Sequence, residues 1–292
     1  MTEPTMVKAK GDGVDIQLAV WEGDGENILC IHGLSANCRC WDRIVSGLEP
    51  EFRVLAMDLR GRGLSDKPPT GYSIDQHAKD VLAVLKDQGL TTITLMGHSL
   101  GAYVSLAFAA HYPTLVNKLI LVDGGGSLPD VQWDKIEQAI KPSIDRLGQV
   151  FPSYEDYTAP LKLAPFLKPW TGFLETYFRY EIDEIDGGVR SRTPAGPIRE
   201  EVANIRRLDA SLMYPKIACP VLLLRATEGM LSNEDMVLPA DRANRMVREI
   251  AHAKSVDLPG TNHYSILFGE NEVRDRTILA FLGAISPSVS LP

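Results

Sequence analysis

Cysteine is scarce in this sequence: its 292 residues include four, namely Cys30, Cys38, Cys40 and Cys219. A disulfide scaffold is thereby excluded, and so sparse a set of thiols fits a reducing compartment. Cys38-Arg39-Cys40 lacks the spacing of the usual zinc and thioredoxin motifs, which leaves these thiols structural or incidental. Long apolar runs are missing too. No stretch approaches the roughly 18–20 residues that a spanning helix needs. Met1 to Gly13 carries lysines without an apolar core, so no secretory leader is expected. Basic clusters are absent from a chain of formal net charge −8, which argues against nucleic-acid partners and against adhesion to an anionic membrane. Internal repeats and low-complexity tracts are likewise absent. The expectation is a cytoplasmic protein acting on a small molecule, without nucleic acid or membrane insertion, and with monomer and homodimer both open.

A hydrophobic fraction of 45% against 23% charged residues suffices for a large buried core in one or two domains. Val14–Trp21 alternates with period two, and Asn27–Ile31, Arg53–Met57, Thr92–Met96 and Lys118–Val122 are apolar runs of strand length. Between them, Ile74–Gln88 carries Val81, Leu82 and Leu85 at helical spacing, and Ser99–His111 reads as an alanine-rich helix. The alternation resumes late in the chain, with strands at Val221–Leu224 and Ser255–Leu258 and helices at Asp235–Val247 and Glu272–Leu282. Such a pattern predicts an α/β fold, a doubly wound and mostly parallel sheet covered on both faces. From Ser127 to Ser211 the strand-like runs vanish. Aromatics such as Trp133, Tyr157, Trp170 and Tyr177 stand among helix breakers at Pro152, Pro160, Pro165 and Pro169. This stretch reads as an insertion, so the expected division is a core of residues 1–126 and 213–292 with a helical cap at 127–212. Its aromatics could line a substrate pocket or form the insertion's own core.

Gly97-His98-Ser99-Leu100-Gly101 follows a strand-like run and opens a helix. A turn this sharp leaves no room for side chains two residues either side of the serine, hence the glycines. Ser99 would stand at the carboxyl end of the sheet, beside a helix N-terminus that favours negative charge. Two further segments accompany it: Ile31-His32-Gly33-Leu34 and Asp58-Leu59-Arg60-Gly61-Arg62-Gly63-Leu64-Ser65-Asp66. In this order the three segments resemble those of the α/β-hydrolases, and the resemblance covers Val14–Asp123 and Cys219 to the C-terminus. It implies a serine nucleophile at Ser99 and an oxyanion hole built from the backbone N–H groups of Leu34 and Leu100. It also implies that the Asp58 segment braces a loop near the site. His32 is expected to order its loop instead of transferring protons.

A serine hydroxyl needs a neighbouring base. Among six histidines, His263 in Pro259-Gly260-Thr261-Asn262-His263 lies just after the last strand and before the final helix, where the family places its catalytic histidine. His98 sits within the elbow and His111 at a helix end. The acid is harder to assign. Relatives usually take it from the loop after the strand at Val221–Leu224, but the aligned position is Gly229, with Glu228 one residue early. This departure favours Asp123, at the end of the Lys118–Val122 strand, which a minority of the family uses. Glu228 and Asp235 remain alternatives, since each gives the chain order serine, acid, histidine.

Serine at the nucleophile position argues against the epoxide hydrolases and haloalkane dehalogenases of this fold, which attack with aspartate. The resemblance therefore implies a hydrolase acting on a small or medium apolar ester, lactone or amide through an acyl-enzyme, with no cofactor and no metal. Carbon–carbon bond hydrolysis of a ring-cleavage product is the alternative within the same site, with cyanohydrin lyase or perhydrolase chemistry more remote. From another class, a ligand-binding receptor with poor turnover is also compatible.

Overall fold

Strands apolar on both faces must be covered on both, and the central runs of this chain are of that kind. In the computed structural model, which describes residues 2–285, there are ten strands: β1 (Thr5–Lys10), β2 (Asp15–Trp21), β3 (Asn27–Ile31), β4 (Arg53–Met57), β5 (Ile93–His98), β6 (Val116–Val122), β7 (Ile182–Ile185), β8 (Gly188–Ser191), β9 (Val221–Ala226) and β10 (Ala253–Leu258). Eight of them form one sheet in the order β1-β2-β4-β3-β5-β6-β9-β10. From β4 to β10 every pairing is parallel, while β2 pairs antiparallel with both β4 and β1. The helices are α1 (Asp42–Val45), α2 (Ile74–Asp87), α3 (Leu100–His111), α4 (Asp130–Asp145), α5 (Tyr154–Leu163), α6 (Gly172–Glu181), α7 (Ala195–Arg206), α8 (Ala240–Glu249), α9 (Ser265–Phe268) and α10 (Glu272–Leu282). The chain is thus an α/β sheet protein of the expected class. Residue 1 and residues 286–292 of the expected core lie outside the described residues.

Alternation along the strands splits the apolar side chains between two cores. Leu29, Leu95, Leu121 and Leu223 join Val81 of α2, Leu106 of α3 and Met246 of α8. Ile28, Met96, Ile120 and Leu222 face the other way, toward Ile44 of α1, Ile266 of α9 and Ile278 of α10. Each fully buried aliphatic side chain contributes roughly 1.5–3 kcal/mol, so these two layers fix the sheet from whose ends the loops project.

Two local expectations are corrected, and one strand is added to the pattern. The first strand, β1, lay outside the expected pattern; only Ala9 of it is buried, so an exposed edge strand left no apolar signature. The insertion is not wholly helical, because β7 and β8 form an antiparallel hairpin in which Ile185 pairs with Gly188. Its signal was present as Asp186-Gly187, a dipeptide that suits a two-residue turn. The helix expected from Asp235 begins at Ala240 instead, after Pro239. The Asp235 carboxylate accepts the N–H groups of Met230, Leu231 and Ser232 at 2.6–3.0 Å, which stabilises a loop, not a helical turn.

Candidate active site

The chain runs from β3 outward to β4 but resumes on the opposite side of β3 with β5. At such a reversal the loops leaving neighbouring strands diverge and open a crevice at their carboxyl ends. Gly33 and Leu34 follow β3, and Ser99 follows β5; all three line one cleft enclosing about 920 Å³, its open mouth included. Ser99 adopts φ 55° and ψ −119°, a left-handed conformation that non-glycine residues occupy only when surroundings enforce it. The enforcement is steric: α3 lies so close to β3 that a methyl on Gly101 would overlap the Ile31 carbonyl oxygen. Leu100 is the first residue of α3, where the backbone N–H groups have no intrahelical partner.

His263 lies on the loop after β10 and reaches the same cleft. Its Nδ1 stands 2.7 Å from Asp123 Oδ2, and both residues are buried. Asp123 directly follows β6 at φ 44°, a second left-handed non-glycine residue, and its Oδ1 accepts the Ala226 N–H at 3.2 Å. The structure therefore brings Ser99, Asp123 and His263 to one place from the ends of β5, β6 and β10. It does not bring the other two carboxylates there. Glu228 is exposed, and Asp235 is occupied by its loop amides.

His98 packs its ring 4.4 Å from that of His263 and donates from Nε2 to the His263 carbonyl at 3.0 Å. Burial, reinforced by His263, holds the His98 imidazole well below its ordinary range, so it stays neutral. His32 is also buried, and desolvation pushes its pKa down to about 4. Its Nδ1–H donates to the Gly33 carbonyl at 2.7 Å, and its Nε2 accepts the Leu59 N–H at 3.0 Å. Asp58 accepts from the Cys38 N–H at 2.8 Å, the Leu64 N–H at 2.9 Å and the Tyr180 hydroxyl at 2.6 Å. Both residues thus tie loops together. Tyr180, on α6, was invisible as a partner because it is distant in sequence from Asp58.

Trp133, Ile136, Tyr177, Val202 and Ile205, all within residues 127–212, also line the cleft. The aromatics of this segment divide between the two roles: Trp133 and Tyr177 face the cleft, while the Tyr157 hydroxyl is held inside the segment by Glu181 at 2.9 Å. Among the described residues the lining holds no lysine or arginine. Its carboxylate, Glu137, is neutralised by Arg206 at 2.8 Å.

A doubly wound sheet with a strained serine between strand and helix, and a histidine–carboxylate pair beside it, defines a recognisable class of protein. Residues 26–270 match the family described as alpha/beta hydrolase fold; the chain belongs to that family and is a hydrolase. It is 26% identical over 244 residues to 2-(acetamidomethylene)succinate hydrolase of Mesorhizobium japonicum, covering 83% of each chain. A serine hydrolase-like protein of Danio rerio is 28% identical over 288 residues, 92% of this chain and 85% of the relative. Among solved structures, the fold is similar to that of E-2-(acetamidomethylene)succinate hydrolase, with a TM-score of 0.85 at 24% identity over 96% of this chain and 99% of the other. No helix among the described residues is long and apolar enough to cross a membrane.

Proposed function

We propose that the protein is a serine hydrolase that cleaves a small or medium ester, lactone or amide with a neutral, apolar acyl group. The observation that carries this reading is the 2.7 Å approach of His263 Nδ1 to Asp123 Oδ2 at the edge of the cleft that holds Ser99. In the proposed cycle the Ser99 hydroxyl attacks the substrate carbonyl while His263 Nε2 takes its proton. The developing oxyanion accepts the Leu34 and Leu100 N–H groups, each worth about 100- to 1000-fold in rate. Asp123 holds the imidazolium, which then protonates the leaving group. Water, deprotonated by the same histidine, frees the acyl group and restores Ser99. Residues 127–212 act as a cap that encloses the acyl group, and residues 1–126 and 213–292 carry the reacting groups.

The succinate named for the similar hydrolase is a dicarboxylate. A buried carboxylate needs a cationic partner, and among the described residues the cleft lining offers no lysine or arginine. A neutral acyl group fits these walls better than an anionic one. The test is a series of p-nitrophenyl esters, from acetate to octanoate, run beside the hemisuccinate. The expected preference for the neutral butyrate is about 100-fold in kcat/KM, the equivalent of roughly 3 kcal/mol of uncompensated charge. Ser99→Ala and His263→Ala should each lower kcat by at least about 10⁴-fold. Near-wild-type turnover in both variants would overturn the triad, and a preference for the hemisuccinate would overturn the substrate class.

A further inference from the structure

We propose that Arg62 is a positioning residue for the Leu34 oxyanion donor and that Glu201, from α7, holds Arg62 in place. This makes the insertion part of the oxyanion hole's support, and it rests on the reading that Leu34 donates to the oxyanion.

The Leu34 N–H belongs to a loop held at two successive carbonyls. His32 Nδ1–H donates to the Gly33 carbonyl at 2.7 Å, in the same peptide plane as the Leu34 N–H. Arg62 Nε donates to the Leu34 carbonyl at 2.9 Å. The guanidinium has little freedom of its own. Its Nη1 donates to the Arg60 carbonyl at 3.0 Å, its Cζ lies over the Tyr72 ring 5.7 Å from the centroid, and its Nη2 pairs with Glu201. Glu201 also meets His77 Nε2 of α2. Arg62, His77 and Glu201 are all fully buried, so the ion pair acts without solvent screening.

Glu201 is fixed because α7 is fixed. Glu200 accepts the Gly71 and Tyr72 N–H groups at 3.1 and 3.0 Å, and Asn204 Nδ2 donates to the Tyr72 carbonyl at 3.2 Å. One residue beyond Glu201, Val202 enters the cleft wall, as does Ile205. One helix therefore shapes the acyl side of the cleft and anchors the arginine that holds the oxyanion loop. A displacement of about 1 Å in a catalytic group costs about 100-fold in rate, so a brace of this kind acts on kcat.

The test uses the full chain, p-nitrophenyl butyrate and a trifluoromethyl ketone, whose adduct with Ser99 presents the same oxyanion. Arg62→Lys keeps the charge but loses the rigid fork of donors; Glu201→Gln removes the charge that holds it. In each, kcat should fall about 10- to 100-fold with KM within about twofold, and ketone inhibition should weaken by the same factor. Should the single variants fail to fold, the combined His77→Leu, Arg62→Met and Glu201→Met chain takes their place. Exchanging a buried ion pair, here with the neutral histidine beside it, for apolar residues often preserves folding, and the same kinetic losses are expected. Folded variants with wild-type kcat and ketone affinity, or with a loss confined to KM, would overturn the proposal. So would failure of the combined variant to fold, since the network would then be architecture alone. Ser99→Ala separates this outcome from failure of the parent reading, because it reports on the nucleophile whatever Arg62 does.

Discussion

Both oxygens of Asp123 are occupied, one by His263 Nδ1 at 2.7 Å and the other by the Ala226 N–H at 3.2 Å. A carboxylate held at both ends orients an imidazole and selects the tautomer whose Nε2 faces a nucleophile. Asp123→Asn should therefore lower kcat by about 10⁴-fold, whereas Glu228→Gln, altering an exposed side chain, should leave it close to wild type. Steady-state kinetics on the two variants side by side decides the matter; equal losses, or the larger loss in Glu228→Gln, would remove Asp123 from the triad. The residues themselves were legible in the sequence. The departure at Gly229 already favoured Asp123 over Glu228, but the sequence left Glu228 and Asp235 open, because 140 positions separate Asp123 from His263 and only the order of β6, β9 and β10 in the sheet closes that gap.

At the scale of elements, the turn from β5 into α3 depends on backbone contact between α3 and β3. A methyl at Gly101 would overlap the Ile31 carbonyl carbon and oxygen and press on that of His32, all of them backbone atoms that cannot rotate away. Gly101→Ala should cost about 1–3 kcal/mol through overpacking, seen as a lower denaturant midpoint at unchanged slope; an unshifted midpoint would mean that α3 can retreat from the sheet. The elements near this turn were readable because strand and helix periods differ so plainly. Those that escaped were of another kind: β1 buries one residue, and β7–β8 is a hairpin of two four-residue strands inside a segment dominated by helical periodicity.

The whole molecule keeps three histidines buried and neutral. His32 is pushed down to about 4 by burial, and His77 and His98 lie well below their ordinary range for the same reason, His77 aided by the Arg62 and Arg60 guanidinium groups and His98 by His263. An unfolded chain binds protons at these positions below about 6.5. The folded state refuses them, so stability is lost as pH falls through that value, by up to about 1.4 kcal/mol per unit for each histidine. Asp42 opposes this. Burial pushes its carboxyl up to about 6, so folding takes up a proton between about 4 and 6 and acid stabilises there. Three groups outweigh one, and the melting temperature at pH 5 should lie clearly below that at pH 7.5. A flat profile across this range would show that these histidines gain protons without unfolding.

Local sterics and periodicity are written into neighbouring residues, which is why the sequence by itself determined the elbow around Ser99, the alternation of strands and helices, and the late position of His263. Partnerships across the fold are not local properties. Which carboxylate meets His263, how Tyr180 reaches Asp58, and how Glu201 on α7 comes to hold Arg62 under Leu34 were decided only by the tertiary structure. Each depends on the sheet order and on where the inserted helices dock, and burial then makes the charged pairs among them strong enough to set geometry at the site.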